Sequence, residues 1–416
     1  MSVLETVAAP AVPRLLGGLR RDGRPLSLAA HAERYGPLPL ELRPAELRDR
    51  IADSGLTGRG GAGFPTAVKL ESVRGTRGRP IVVANGTEGE PPSGKDKVLL
   101  AYAPHLVIDG AVLAARAVGA KRVVVATSAG VHEAVAGALD EHRTDAGIVV
   151  QTAVVPDRFV AGEETALVQF LNGGPALPTF TPPRPYERGV GGAPTLVLNV
   201  ETLAHLALVA RFGATWFRAV GTPEEPGSAL VTLSGAVRAP GVYEIELGSP
   251  FARLLEEAGA DRDAQAYLVG GYFGTWLGAA DANRAALSNA GLAHVGASLG
   301  ARAIVALPAA VCGVVETARV ARYLAEQSAG QCGPCVHGLA AVADSLDELV
   351  RGKERTPDVA LLQRRLGQIA GRGACRHPDG AAVLVSSALH VFAGEVDRHV
   401  HGRRCTGHGH PVLPIP

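Results

Sequence analysis

The stretch Gly55-Leu-Thr-Gly-Arg-Gly-Gly-Ala-Gly-Phe-Pro-Thr66 is a glycine-rich loop, with five glycines in twelve residues. Residues without a Cβ atom let backbone N–H groups approach a planar or anionic ligand closely. Arg59 and the following Lys69 offer positive charge for a phosphate, and Phe64 offers a flat face for a ring. The segment is unlike a flexible linker, which would not need Arg, Phe and Pro at fixed places. It is also not a dinucleotide-binding motif, because its glycines do not have the G-x-G-x-x-G spacing.

Strands and helices alternate on the C-terminal side of this loop. Runs rich in β-branched residues predict strands at 80–84, 122–127, 147–155 and 195–199. Amphipathic stretches predict helices at 104–118 and 200–212. Strands connected through helices require crossovers, so we expect a largely parallel α/β sheet with helices on its faces.

Polar side chains follow the first of these strands, in the segment Asn85-Gly-Thr-Glu-Gly-Glu90. Open α/β sheets bind ligands at the ends of their strands. Asn85 could hydrogen-bond a ring, and Glu88 and Glu90 could accept hydrogen bonds from ribose or amide donors. The alternative for the two glutamates is an acidic surface turn.

A further motif, Gly162-Glu163-Glu164, opens a predicted helix. Its carboxylates could contact a ligand. Alternatively, they could only favour the N-terminal end of the helix dipole.

Composition limits the classes of partner. The chain has 416 residues, which favours two to four domains, and 41 basic against 40 acidic residues leave a net charge of +1. No basic field exists for nucleic acid or an anionic membrane. The N-terminus does not resemble a secretory signal, and the apolar run 303–315 is too short to span a bilayer. We expect a soluble, cytoplasmic protein that reaches a membrane only through a partner.

The five cysteines indicate metal or cluster ligation in a chain without a signal peptide. Cys332-Gly-Pro-Cys335 is a C-x₂-C motif, and Cys375 follows it. Thiolates are the usual ligands of iron–sulfur clusters, although C-x₂-C alone is also compatible with a zinc half-site or a redox dithiol. Cys312 follows an apolar run and is expected to be a small buried hydrophobe. Metal binding is possible for the histidines near the C-terminus, but a solvated tail is favoured for His399, His401, His408 and His410.

Four motifs in order resemble one family. GRGGAGFPT, NGTEGEP, GEETAL and PPRPYERGVGGAPTLVLNVETLA are similar to segments of the flavin-carrying, NADH-oxidising subunit of respiratory complex I, and of the diaphorase subunits of NAD-linked hydrogenases and formate dehydrogenases. The resemblance runs from about Leu56 to about Phe392. It implies an NADH dehydrogenase-like enzyme that passes electrons from NADH through FMN to a [4Fe–4S] cluster and on to an electron-transfer partner or complex subunit.

The resemblance also implies the architecture. A Rossmann-like FMN domain at 51–220 is expected to follow a lead-in at 1–50. A small β-grasp (SLBB) domain at 228–300 and a helical bundle with the cluster at 310–400 come next, before a tail at 401–416.

The site residues carried over from the family fall into three groups. The FMN contacts, with the neighbouring loop glycines, are Gly58, Arg59, Gly60, Gly61, Gly63, Lys69, Asn85, Glu88, Gly162, Glu163 and Asn199. The nicotinamide contacts are Phe64, Glu90 and Glu164. The cluster ligands are Cys332, Cys335 and Cys375, with Cys405 favoured as the fourth because a helix over 380–400 could return the tail to the cluster. His337, His377, solvent and a partner group are the other candidates for the fourth ligand. The remaining alternative is an incomplete cluster with three ligands, either labile or of the three-iron type.

The chain departs from the family at several positions. The family's first cluster cysteine is Ala329 here, and the Asp of its N-x-D-E-G-E-P motif is Thr87. Residues that differ from the family around the dinucleotide are Ser72, Phe159, Thr181 and Arg184. Two alternatives therefore stay open. One is an FMN and iron–sulfur protein that exchanges electrons with a ferredoxin or membrane reductase instead of NADH. The other is a non-catalytic scaffold with a ligand-binding β-grasp domain.

Overall fold

The sequence motifs lie on two compact units of the chain. The computed structural model describes residues 14–19, 24–142, 147–261, 263–351, 358–403, 405 and 410–416. The first unit comprises residues 1–89, 94–231 and 242–249, and the second comprises 90–93, 232–241 and 250–416.

The first unit alternates helices and strands from residue 28 to residue 218. Its elements are α1 (Leu28–Tyr35), α2 (Pro44–Ser54), α3 (Thr66–Arg74), β1 (Ile81–Gly86), α4 (Lys95–Tyr102), α5 (Pro104–Val118), β2 (Arg122–Thr127), α6 (Ala129–Glu141), β3 (Val149–Val154), α7 (Glu164–Leu171), β4 (Thr195–Asn199) and α8 (Val200–Arg218). A 3₁₀ turn at Phe159–Gly162 precedes α7.

The four strands form a parallel sheet in the order β3-β2-β1-β4, which confirms the predicted α/β class. The central strands β1 and β2 are mostly buried, as the crossover helices require. The chain leaves β1 towards β2 on one side and later returns to add β4 on the other side. Strand order therefore reverses between β1 and β4. The carboxyl ends of such a strand pair form the ligand crevice of open α/β sheets.

Helices α5 and α8 pack on this sheet at very close range. A Cβ atom at Gly110 of α5 would lie 1.9 Å from the backbone oxygen of Leu203 in α8, so only glycine allows this approach. The stretch predicted as a lead-in contributes to the same core, because Leu15 and Leu16 are buried. Their backbone N–H groups donate to the buried carboxylate of Glu244.

The chain from residue 228 onward contains a smaller sheet followed by helices, and most of it belongs to the second unit. The elements from residue 228 onward are β5 (Ser228–Gly235), β6 (Gly241–Glu246), α9 (Phe251–Glu257), β7 (Ala264–Val269), β8 (Thr275–Gly278), α10 (Ala279–Arg284), α11 (Asn289–Ala293), β9 (Ala303–Pro308), α12 (Gly313–Glu326), α13 (Leu339–Arg351), α14 (Val359–Ile369), α15 (His377–Val391) and α16 (Ala393–Val400). Strand β9 pairs in parallel with β5 and antiparallel with β7, and β7 pairs with β8.

The predicted single helix over 380–400 is wrong, because α15 and α16 meet at an angle of 83°. Phe392 has φ −102° and ψ 30° and interrupts the helix. Its ring is buried and packs edge-on against Trp276 at 5.1 Å between centroids, which turns the backbone out of the helical path.

The C-terminal end of the chain is held against α12. The backbone N–H groups of Val412 and Leu413 donate to the Glu316 carboxylate at 3.0 and 2.7 Å, and Leu413 is buried. This part of the predicted solvated tail is therefore docked. His408 lies outside the described residues.

Among the described residues, no individual helix is long and apolar enough to cross a bilayer. Two sharply bent pairs, α4 with α5 and α15 with α16, reach that length and hydropathy only when taken together.

Candidate functional site

The carboxyl ends of β1 and β4 bring two predicted contact residues together. Asn85 and Asn199 are register partners, and the Asn199 Nδ2 group donates to the Asn85 carbonyl oxygen at 3.4 Å. Asn199 also caps α8, since its Oδ1 atom accepts from the Glu201 N–H at 3.0 Å. The Asn85 amide donates to the Gly162 carbonyl oxygen at 2.8 Å. The crevice therefore holds the motifs at 85, 162 and 199 in one place.

The glycine-rich loop closes on itself and lies beside this crevice. The Gly58 N–H donates to the Phe64 carbonyl oxygen at 2.8 Å, and Thr57 bridges Pro65. A Cβ atom at Gly60 would lie 3.2 Å from the Asn199 Cβ atom. Phe64, at the point where the loop closes, is 46% exposed. The loop thus presents backbone and an aromatic face next to the start of α8.

Arg59 lies within this loop, but its guanidinium is buried. The side chain is 1% exposed and donates to Thr57 Oγ1 at 2.8 Å and to the Pro226 carbonyl oxygen at 3.2 Å. The Arg59 backbone N–H donates to Thr202 Oγ1 in α8. These contacts fix the loop on α8. The Arg59 guanidinium does not point outward in this arrangement, although the phosphate contact predicted from the sequence would require it to do so.

Glu88 has a capping role that the sequence did not reveal. Its two carboxylate oxygens accept from the backbone N–H groups of Asp96 and Lys97 at 3.2 and 3.0 Å, in the first turn of α4. Glu88 is buried, so it is not part of an acidic surface turn.

The two carboxylates of the 162–164 motif have different partners. Glu163 caps α7 by accepting from the N–H groups of Thr165 and Ala166 at 2.9 and 3.0 Å, and burial raises the pKa of its carboxyl. Glu164 instead forms an ion pair with Lys69 at 2.9 Å. Glu163 therefore acts at the N-terminal end of a helix, which was the alternative to ligand contact. Glu164 and Lys69 form a half-buried charged pair beside the crevice.

A buried charge network behind Asn199 was missed in the sequence. The Lys95 Nζ atom lies 2.6 Å from Asp96 and 3.0 Å from Glu201, and the Asn199 amide donates to Asp96 Oδ2 at 2.7 Å. Burial raises the pKa of Asp96 to about 6, although Lys95 opposes the shift. The sequence feature that could have indicated this network is the adjacent Lys95-Asp96 pair, directly after the 85–94 turn.

Two exposed aromatics lie on the loop between α7 and β4. Phe180 is 69% exposed and Tyr186 is 36% exposed. The Thr179 N–H donates to Thr165 Oγ1 at 2.9 Å, and that hydroxyl also donates to Glu163. Since Thr179 is hydrogen-bonded to the first turn of α7, the adjacent Phe180 is anchored near the N-terminal end of that helix. Arg184, the residue that the sequence analysis singled out here, is exposed on the same loop.

Glu90 belongs to the second unit. Its Oε1 atom accepts from the Tyr272 N–H at 2.8 Å, and its side chain fills the space that a Cβ atom at Gly271 would need.

Three of the predicted cluster ligands converge in the second unit. Cys335 lies in the π-helical turn Pro334–Gly338 before α13. Its thiol interacts with Cys332 and Cys375. Burial raises the pKa of Cys332, but hydrogen bonds from the backbones of Ala374 and Cys335 and from the Cys335 thiol outweigh burial and lower it. A thiol held in this way is suited to metal ligation.

Cys405 has a different environment from the one expected. Its Sγ atom lies within 4.8 Å of a ligand atom of both Cys312 and His399. This placement argues against Cys405 as the fourth cluster ligand. Of the histidine candidates, His377 is buried with Nε2 2.7 Å from the Leu324 carbonyl oxygen, whereas His337 is exposed in the turn that carries Cys335.

The first-unit crevice fits FMN on structural grounds. The glycine-rich loop, two asparagine amides and the first turn of α8 line it. A helix N-terminus next to glycines is a favourable phosphate site. The three thiols of the second unit fit an iron–sulfur cluster in donor type. Together these features define an electron-transfer flavoprotein that also carries an iron–sulfur region.

Comparisons with known proteins agree. The Nuo51 FMN-binding domain family matches residues 51–208, the SLBB domain family matches 230–267, and the NADH-ubiquinone oxidoreductase-F iron-sulfur binding region matches 316–399. The F 2 subunit of the NADH-quinone oxidoreductase of Rhizobium meliloti is 32% identical over 387 residues, which cover 88% of this chain and 92% of that protein. The corresponding F subunit of Streptomyces coelicolor is 33% identical over 383 residues, covering 88% and 85%. The chain belongs to the family of NADH-quinone oxidoreductase F subunits.

Solved structures extend the similarity to hydrogenases. An NAD⁺-reducing [NiFe]-hydrogenase in the H₂-reduced state matches with a TM-score of 0.83 at 28% identity, covering 97% of this chain and 68% of that chain. The air-oxidized state matches with a TM-score of 0.79 at 30% identity, and there this chain spans 63% of the hydrogenase chain. The predicted oxidoreductase class and its FMN and iron–sulfur regions are thus confirmed.

Proposed function

We propose that this chain oxidises NADH at FMN bound in the first unit and passes the electrons through a [4Fe–4S] cluster in the second unit to a partner protein of the same complex. When bound, FMN would supply the redox chemistry, because a flavin can accept a hydride and pass electrons on one at a time. The protein binds, orients and shields the reactants, and no side chain has to act as general acid or nucleophile. The observation that carries the proposal is the convergence of Asn85, Asn199 and the glycine-rich loop where strand order reverses.

FMN is held in this proposal by backbone and amide groups. The loop glycines receive the flavin closely, and the first turn of α8 faces its phosphate. Asn85 retains one amide N–H and the side-chain oxygen of Asn199 retains one lone pair for hydrogen bonds to the flavin. Arg59, Glu88 and Glu163 act indirectly, because their side chains hold the loop, α4 and α7 in position.

NADH is received on the exposed side of the same crevice. Phe64 supplies an aromatic face, and the Lys69–Glu164 pair offers charge to the nicotinamide amide and ribose. Phe180 takes the place of the aromatic rings that Ser72 and Arg184 do not supply. Glu90 remains a proposed nicotinamide contact on resemblance alone.

The cluster takes Cys332, Cys335 and Cys375 as ligands. The fourth ligand is His337 or a group from solvent or a partner, since Cys405 is placed with Cys312 and His399. The relatives named as subunits of NADH-quinone oxidoreductase support a multi-subunit partner.

We also propose the domain limits 51–220, 228–300 and 310–400. A reducing, cytoplasmic location is supported by the five free cysteines.

A matched pair of glycine variants tests the proposal. In Gly162→Ala the new Cβ atom would lie 2.8 Å from the Thr87 carbonyl oxygen, whereas in Gly137→Ala of α6 it would meet nothing within 4 Å. The wild type and G137A should bind FMN and reduce ferricyanide with NADH, and G162A should lose most bound FMN and this activity. FMN retention by G162A with unchanged activity would place the flavin elsewhere.

One observation favours a second candidate, an FMN and iron–sulfur protein that does not use NADH. The Ser72 hydroxyl donates to the Val68 carbonyl oxygen of its own helix, so this position supplies no ring. Under this alternative the reconstituted protein would bind FMN and iron but leave the flavin oxidised in excess NADH.

A further inference from the structure

Three side chains from separate parts of the second unit meet at one point that the proposed electron path does not use. Cys312 is the N-cap residue of α12, His399 lies in the last turn of α16, and Cys405 follows that helix by five residues. Their ligand atoms, two sulfurs and one ring nitrogen, all lie within 4.8 Å of one another.

The group is buried and internally connected. Cys312 is 2% exposed and His399 is 6% exposed. The Cys312 sulfur lies 3.4 Å from His399 Nε2 and donates to Glu395 Oε2 at 3.0 Å. A carboxylate oxygen therefore lies next to the same sulfur as the imidazole.

The surroundings orient these side chains from outside. The His399 ring also hydrogen-bonds the Val350 backbone, and Glu395 Oε2 accepts from the Val314 N–H at 3.3 Å. Histidine ligands of metals are usually fixed by such a bond to a carbonyl group. A hydrophobic cysteine in a core would require none of these polar partners.

We propose that Cys312, His399 and Cys405 bind one zinc ion, with Glu395 or a water molecule as the fourth ligand. Two thiolates, an imidazole and an oxygen are the donor set of four-coordinate zinc. Zinc does not change oxidation state, so the ion takes no part in electron transfer, and its ligands tie residue 405 to α12 and α16. Its free energy of binding adds to the stability of the folded chain.

This site is separate from the cluster ligands. The Cys335 thiol interacts with those of Cys332 and Cys375, and the Cys312 thiol interacts with Cys405. The five cysteines thus divide into a group of three for iron and a group of two for zinc.

The test uses the full-length chain, reconstituted anaerobically with iron and sulfide and dialysed against micromolar zinc. Zinc, iron and sulfide are then counted per chain. The wild type should keep about one zinc ion in addition to its iron. Cys405→Ser and His399→Ala should lose at least tenfold in zinc affinity against a chromophoric chelator, with iron and sulfide unchanged. His401→Ala, an exposed histidine two residues beyond His399, should keep zinc, and Cys375→Ser should keep zinc while losing iron.

Cobalt gives a readout that does not depend on the variants folding. Wild-type protein titrated with Co²⁺ should develop intense thiolate-to-cobalt absorption, which added zinc abolishes. The proposal is overturned if the wild type binds neither metal. It is also overturned if C405S loses iron and sulfide but not zinc, which would restore Cys405 to the cluster.

Discussion

Asn85 and Asn199 are register partners at the carboxyl ends of β1 and β4. The Asn199 amide donates one hydrogen bond to the Asn85 carbonyl oxygen at 3.4 Å and another to Asp96 Oδ2 at 2.7 Å. One side chain thus links the sheet edge, the cap of α8 and the buried Lys95–Asp96–Glu201 network. The position of this amide is fixed before any ligand binds, which lowers the entropic cost of recognising a flavin.

Replacing Asn199 by alanine should weaken FMN binding about tenfold, because one lost hydrogen bond in a buried site costs about 1.4 kcal/mol. The Asp96 carboxylate also loses a donor, so the free energy of unfolding should fall. Flavin fluorescence titration measures the FMN affinity, and urea denaturation measures the stability.

Ser27→Ala is the matched control, since Ser27 caps α1 through the Ala30 N–H and lies outside the crevice. It should lower stability by about 1 kcal/mol or less and leave FMN affinity unchanged. Equal FMN affinities for N199A and the wild type would remove Asn199 from the flavin site.

Phe180 should contribute to NADH affinity through ring stacking. Truncation in Phe180→Ala should raise the KM for NADH about fivefold, the equivalent of about 1 kcal/mol of stacking, with kcat little changed. Steady-state ferricyanide reduction measures both constants. Phe212→Ala removes an exposed ring of α8 that packs on Trp216 and should leave the KM for NADH unchanged. A raised KM in Arg184→Ala but not in F180A would assign the stacking to the guanidinium.

Restoring a cysteine at position 329 should complete the cluster. The fourth ligand of the wild-type [4Fe–4S] cluster is not a cysteine in our proposal, so the reconstituted cluster should be labile and should lose iron on handling. Ala329→Cys should raise iron and sulfide towards the full cube and slow cluster loss in air. Ala340→Cys adds a thiol in α13 as a control and should change neither quantity. Equal iron contents and equal rates of cluster loss in the wild type and A329C would show that position 329 does not reach the cluster.

A cluster of histidines surrounds the buried Asp109 carboxylate in the first unit. His31 and His142 each bond Asp109 at 2.8 Å, Arg211 also pairs with it, and the His105 ring packs between the two histidine rings. Burial, with repulsion from His31 and His142, lowers the pKa of His105 to about 4 from 6.5. Folding therefore favours the neutral form of His105.

The stability contribution of His105 should be complete above pH 6.5 and lost as the pH falls towards about 4, because the unfolded chain then binds the proton more readily. Urea midpoints measured across this interval should decline with acidification. His105→Gln should flatten that decline even if its midpoint at neutral pH is lower. The same slope in both proteins would show that His105 does not carry the pH dependence.

The sheet was predictable because its signals are local. Val82 and Val83 lie in an unbroken apolar run, and such runs between helices indicate buried parallel strands. The break between α15 and α16 was not predictable, because Phe392 leaves the helix to pack on Trp276, which is far away in sequence. Tertiary contacts of this kind override local helix preference.

The sequence indicated residues that the fold brings to the crevice, but not the contacts that each of them makes. Asn85 was found because it follows a predicted strand, whereas Asn199 was named through the resemblance to the family. The capping contacts of Glu88 and the ion pair of Glu164 could not be found, because their partners are fixed only by the fold. Likewise, no sequence spacing brings Cys405 to Cys312, ninety-three positions earlier, so this pair emerges only from the folding of α16 against α12.

The central claim is that electrons pass from NADH to the flavin and then to iron within this chain. Anaerobic stopped-flow mixing of the FMN- and iron-reconstituted protein with NADH tests it directly, with freeze-quenched samples read by electron paramagnetic resonance. We predict that the flavin absorption bleaches first and that the signal of a reduced iron–sulfur cluster then rises. A flavin that stays oxidised in excess NADH, although dithionite bleaches it, would contradict the claim.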